Sequence, residues 1–178
     1  MILGDNDLRR LYSNGLIRCP DGYKCLIGPA SVDARLGHTF LVPKRKWFGS
    51  VHLGQEVQYR EYVVPDGKEF RLRPGQFALA TTLEYFAIPR NMAAYVQGRS
   101  SIGRAGLSVQ NAGFIDPGFY GHITLELKNE TRNTIYLSPG YPVTQIVFEE
   151  ATPVEKAYSG KYNGQTEATG SRMYLDVV

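Results

Sequence analysis

Between Gln97 and Asn129 the chain concentrates the residue types that could do chemistry. Arg99, Ser100 and Ser101 set a guanidinium beside two hydroxyls, and Arg104 adds a second cation shortly after. Such donors suit phosphate oxygens, because a guanidinium fork matches an oxyanion and hydroxyls complete the grip. The plainer alternative for the serines is the end of a strand. Asp116 stands in Ile115-Asp116-Pro117-Gly118, where an Asp is at home as a turn former, and the same carboxylate can accept from a sugar hydroxyl. Glu126 lies in the alternating run His122 to Lys128. On a strand Ile123, Leu125 and Leu127 share one face, and His122, Thr124, Glu126 and Lys128 share the other. Glu126 is thus either in water or in a pocket, and in a pocket it could move protons.

These groups need elements to hold them, and the pattern around them is mostly that of short strands. Leu8 and Leu11 with Asp5 before them and Gly15 after them predict a short N-terminal helix over 6–14. From Ser31 onward, apolar or alternating runs are separated by turn residues: 40–42, 61–64, 70–72, 77–80, 92–96, 106–109, 121–128, 134–137 and 142–149. That spacing predicts an all-β sandwich or barrel. From Thr152 to Val178 small polar residues surround isolated tyrosines, so the tail is expected to be mobile until something anchors it. A chain of 178 residues, 43% hydrophobic, suits a single domain spanning 1–178.

The net charge of +3 comes from 20 basic and 17 acidic residues, which suits a small anionic ligand and gives no footprint for nucleic acid. Lys44-Arg45-Lys46-Trp47 reads as a solvated basic loop. No apolar run suggests a membrane span or signal peptide, so a cytoplasmic location is expected. Cys19 and Cys25 are the only cysteines and read as free thiols. His38, His52 and His122 lack a His-x-Glu context, and no Pro-Cys-x-x-Cys follows, so the zinc-deaminase signature is missing and no metal ligands are assigned. Asp33, in Ser31-Val32-Asp33-Ala34-Arg35, reads as structural, through Arg35 or backbone amides.

Three segments, Gly98-Arg99-Ser100-Ser101-Ile102-Gly103-Arg104, Ala112 to Gly118 and Gly121 to Glu126, together resemble the central signature of the dCTP deaminases, which share a fold with the trimeric dUTPases. The similarity extends from Met1-Ile2-Leu3 to Tyr158-Ser159-Gly160-Lys161-Tyr162. It implies a distorted β-barrel or jelly roll of the dUTPase-like type, with a short N-terminal helix and a C-terminal lid over about 152–178. It also implies a homotrimer with interfacial sites, and zinc-independent hydrolysis of dCTP at C4. Glu126 would be the catalytic acid-base. Ser100 and the carbonyl of Ala112 would orient the water, and backbone groups at Thr124, Leu125 and Glu126 would read the pyrimidine. Asp116 would meet the 3′-hydroxyl. Arg99, Ser101 and Arg104 would hold a triphosphate carrying Mg²⁺, while Gln145, Tyr158, Lys161 and Gln165 would close over phosphates and sugar.

Plain dUTPases carry an aliphatic residue where this chain has Glu126, and their glycine-rich final motif is not reproduced by Gly160-Lys161-Tyr162-Asn163-Gly164-Gln165. Ala112-Gly113-Phe114-Ile115-Asp116 resembles the bifunctional branch that continues to dUMP and pyrophosphate. Ser108-Val109-Gln110-Asn111 departs from the Thr-His-x-Thr frequent there. A deaminase that releases dUTP, a dUTP diphosphatase and a non-catalytic nucleotide sensor are the other readings, the last two expected to lack Glu126 or, for the sensor, an arginine.

Overall fold

The predicted helix forms over Asp5–Ser13 (α1) and buries Leu8 and Leu11, as their spacing on one stripe requires. Gly4, in place of Asp5, is its N-cap. Gly15 takes φ +72° just beyond the end, a left-handed conformation glycine reaches without a Cβ clash. The computed structural model describes residues 1–44, 50–110 and 113–176. Ala112 and all of the basic run after Lys44 lie outside the described residues.

The strands follow in chain order: β1 (Ile17–Arg18), β2 (Leu26–Ile27), β3 (Val32–Arg35), β4 (Thr39–Pro43), β5 (Tyr59–Val63), β6 (Phe70–Leu72) and β7 (Phe77–Ala87). After β8 (Met92–Gly98) comes a one-turn helix, α2 (Ser100–Arg104). Then come β9 (Leu107–Gln110), β10 (Phe114–Ile115), β11 (Tyr120–Asn129), β12 (Ile135–Leu137) and β13 (Pro142–Glu150). One sheet runs β5-β4-β7-β11-β9 with β1 also on β7; another runs β10-β8-β13-β3-β2; β12 and β6 form a small ribbon. The architecture is mostly β, as the turn spacing requires. Among the described residues the distorted sheets do not close into a barrel.

The core lies where the inward residues of the large sheets meet. Phe86 of β7 and Phe148 of β13 are fully buried with ring centroids 6.3 Å apart, and Phe40 stacks on Phe70 at 4.2 Å. Each such side chain contributes about 1.5–3 kcal/mol through burial, so these contacts fix how the sheets face each other.

One charged pair is sealed into this interior. Glu84 is completely buried and accepts from the Arg35 backbone N–H at 2.7 Å and from Arg35 Nη1 at 2.6 Å, while Arg35 Nη2 donates to the Lys24 carbonyl at 2.8 Å. Burial pushes the Glu84 carboxyl above its ordinary value, against the pull of these hydrogen bonds. Asp33 therefore does not pair with Arg35 as expected; its carboxylate meets Arg99. Two residues apart on a regular strand share a face, but the pairing of β3 with β13 shifts register between Pro142 and Thr144, beside Arg35, and a bulge redirects side chains.

Candidate active site

Strand β11 sets the site. Its burial alternates as the sequence predicts, with Ile123, Leu125 and Leu127 inward and Thr124 and Glu126 half-buried on the other face. That face opens on a cavity of about 440 Å³, whose walls include Glu126, Thr124, Asp116, Tyr158 and Gln165. Glu126 is therefore in a pocket. Its neighbour Lys128 turns to Glu130 at 3.1 Å, so it does not neutralise the cavity carboxylate.

The two backbone edges of β11 have different partners along the strand. β7 pairs along one side of the strand, with a bulge between His122 and Thr124. On the other side the tail bonds to the strand's start, through Gly164 N–H to the Tyr120 carbonyl at 2.8 Å and His122 N–H to the Gln165 carbonyl at 2.9 Å. β9 takes over only from Glu126 onward. Ile123 is held from the β7 side, its N–H donating to Thr82 Oγ1 at 2.9 Å and its carbonyl accepting from Thr81 Oγ1 at 3.3 Å; among the described residues no β9 partner is found for Thr124 and Leu125.

The tail that was expected to wait for an anchor finds one on its own chain. The Thr124 hydroxyl donates to Gln165 Oε1 at 3.3 Å, Thr169 N–H donates to Thr124 Oγ1 at 3.1 Å, and Ser171 N–H donates to the Tyr59 hydroxyl at 3.2 Å. Gly121, at φ +140°, permits this approach: a Cβ there would sit 2.7 Å from the Gln165 carbonyl oxygen. Asp116 does form the expected turn, its carbonyl accepting from Phe119 N–H at 3.1 Å, and it lines the cavity as well.

The remaining expected residues are placed elsewhere. Arg99 caps α2, whose turn holds Ser100, Ser101 and Arg104, and none of the four lines the cavity. Arg99 Nε lies 3.1 Å from Asp33 Oδ2, and Arg99 Nη1 donates to the Pro142 carbonyl at 2.8 Å. Gln145 pairs across the sheet with Gln97 and Asp33. Lys161 makes an ion pair with Asp176, and the Leu125 side chain is in the core, which leaves only its backbone for recognition.

Sequence reasoning missed Tyr59, Phe77 and Tyr162 on the cavity wall. Tyr59 and Phe77 come from strands remote in sequence, so no local spacing signalled them. Tyr162 stood within the quoted tail segment, where an isolated tyrosine among small residues was the available signal. Among the described residues no group of three or more His, Cys, Asp or Glu could hold a metal ion, and no helix is long and apolar enough to cross a membrane.

The arrangement of distorted sheets is one already seen in a solved protein. The structure titled as 2′-deoxycytidine 5′-triphosphate deaminase from Agrobacterium tumefaciens superposes with a TM-score of 0.68 at 23% identity, over 85% of this chain and 48% of that one. This chain spans about half the length of that protein, and the likeness shows the fold. At the level of sequence, residues 2–151 match the family described as dCTP deaminase-like. The chain belongs to that family. A Sulfurihydrogenibium sp. protein named "dCTP deaminase, dUMP-forming" is 41% identical, covering 99% of each chain. A Natronomonas pharaonis protein named "dCTP deaminase" is 42% identical, over 99% of this chain and 96% of its own.

Proposed function

We propose that this chain hydrolyses dCTP at C4 and carries the product on to dUMP, acting as a cytoplasmic single-domain enzyme with residues 152–178 as its lid. Family membership supports the substrate. The observation that carries the reading is Glu126 on the wall of the cavity. Water attacking C4 needs a base, and the departing amino group and N3 need protons; one carboxylate can take the first and deliver the others. Backbone groups at Thr124, Leu125 and Glu126 hold the pyrimidine, Ser100 and the Ala112 carbonyl orient the water, and Asp116 accepts from the 3′-hydroxyl. The step consumes dCTP and water and yields dUTP and ammonia.

Arg99, Ser101 and Arg104 hold the triphosphate, with Gln145, Tyr158, Lys161 and Gln165 closing around phosphates and sugar. Mg²⁺ would enter with the nucleotide and would neutralise phosphate charge there, while Arg99, Ser101 and Arg104 hold the phosphates. Arg99, Ser101 and Arg104 do not line the cavity of their own copy, which supports a homotrimer whose sites join the two sets across an interface. Gly113, on the cavity wall, leaves room for a second water to attack the α-phosphorus of dUTP, giving dUMP and pyrophosphate.

A deaminase that stops at dUTP is the second reading, and the name of the Natronomonas relative favours it. Incubating the protein with dCTP and Mg²⁺ and separating the products decides. Ammonia with matching dUMP and pyrophosphate is expected, while dUTP accumulating in step with ammonia would leave the deaminase alone. Both activities should survive a zinc-specific chelator and fall when Mg²⁺ is withdrawn; loss on zinc chelation alone would refute the metal assignment.

A further inference from the structure

We infer that Asp33 is a positioning residue, which aims the Arg99 guanidinium at the phosphate chain. The inference rests on the reading of Arg99 as a phosphate ligand. Asp33 does not line the cavity, and its strand β3 belongs to the sheet opposite β11. Yet its Oδ2 lies 3.1 Å from Arg99 Nε, with the two side chains 26% and 28% exposed. An ion pair of this exposure adds little to stability when it stands alone. This one does not stand alone. Arg99 Nη1 is fixed at the same time by the Pro142 carbonyl at 2.8 Å, so the guanidinium is gripped from β3 and β13 while its backbone begins α2. Asp33 is also the cross-strand partner of Gln145, itself the partner of Gln97. The three form one polar row across β3, β13 and β8, ending next to Arg99.

A flexible arginine loses side-chain freedom when it binds an oxyanion, and one already clamped at two nitrogens loses less. Among the described residues Nη2 is the guanidinium nitrogen left without a partner, which suits it to a single phosphate oxygen. The charge balance makes the inference testable by sign. Asp33 cancels much of the local charge of Arg99. If Arg99 worked only as a point charge, removing the Asp33 charge would tighten nucleotide binding. If it works as an aimed donor, removing Asp33 weakens binding.

The test is a double-mutant cycle on the full-length protein, reading KM and kcat for dCTP, with thermal melting to confirm folding. Arg99→Ala should raise KM about tenfold or more, the loss of one charged hydrogen bond. Asp33→Asn should raise KM roughly fivefold with kcat little changed, and should do nothing further in the Arg99→Ala background. An unchanged KM in Arg99→Ala would sink the phosphate reading itself, and this inference with it. A raised KM in Arg99→Ala together with a lowered or unchanged KM in Asp33→Asn would overturn the inference alone. So would an equal effect of Asp33→Asn in both backgrounds, which would mark a role in the fold. Should Asp33→Asn not fold, Asp33→Glu, which moves the carboxylate by one methylene, is judged by the same outcomes.

Discussion

In the proposed reaction Glu126 is the residue on which the chemistry turns, and its position follows from the side-chain alternation of one strand. Replacing it by Gln keeps the shape and removes the basicity. Glu126→Gln should therefore lower ammonia release by about 10²-fold or more, while dCTP binding measured by calorimetry stays within a few-fold of wild type. Ammonia release at a near-normal rate would remove Glu126 from the mechanism. The alternation around Glu126 was legible because period and hydropathy agreed over the whole run from His122 to Lys128, and the observed burial follows it residue by residue. Asp33 was not legible in the same way. Its nearest basic residue in sequence is Arg35, but Arg35 is drawn inward to the fully buried Glu84, so the partner of Asp33 comes from the start of α2. Local spacing carries no information about such a pairing with Arg99.

At the scale of elements, most of the longer strands announced themselves through their turns, whereas the short β1, β2, β3 and β10 and the single turn α2 did not. A single turn that contains Gly103 has too few residues to show helical periodicity and no apolar stripe to bury. The tail was read correctly as poor in apolar residues, yet backbone bonds to β11 hold it, and composition does not report those. Gly121 is the element-scale weak point. Gly121→Ala would force a Cβ against the Gln165 backbone at a φ of +140°, a strain of about 1–3 kcal/mol. The tail should release in preference to the strand. We expect faster proteolysis between Tyr158 and Ser171 and a several-fold higher KM for dCTP, with the melting temperature nearly unchanged; an unaltered cleavage rate would show that the tail is held by other contacts.

The segment between β1 and β2 gives a second prediction at this scale. Burial, reinforced by Cys19 and by the Glu84 charge, pushes the Cys25 thiol up to about 12, and burial raises Cys19 as well. Both thiols are thus held protonated at neutral pH and should react slowly, since the thiolate is the nucleophile. At pH 8 a disulfide reagent should label the native protein far more slowly than the denatured one; equal rates would refute the burial. The folded value lies above the ordinary 9.0, so the neutral thiol favours folding below pH 9. That contribution is lost as pH rises through about 12. Wild-type stability should accordingly fall more steeply than that of Cys25→Ala over the same alkaline range.

For the whole molecule, the observation that matters is that the residues on and before α2 proposed to hold the phosphates do not line the cavity of their own copy. If a site takes Glu126 from one copy and Arg104 from a neighbour, two inactive variants can repair each other. Arg104→Ala and Glu126→Gln, each alone, leave a defect in every site. Co-expressed in equal amounts, they assemble at random, and an interface is intact when the copy supplying Glu126 carries the Arg104 change and its neighbour carries the other. The chance is one half for each, so about a quarter of interfaces should work. Activity should return to roughly that fraction of wild type, in particles whose mass by light scattering is a multiple of the chain's 19.9 kDa. A site contained in one copy predicts a different result, because every copy then carries its own lesion whatever its neighbours are. A mixture as inactive as either parent, or an active wild-type protein that scatters as a monomer, would overturn the shared site.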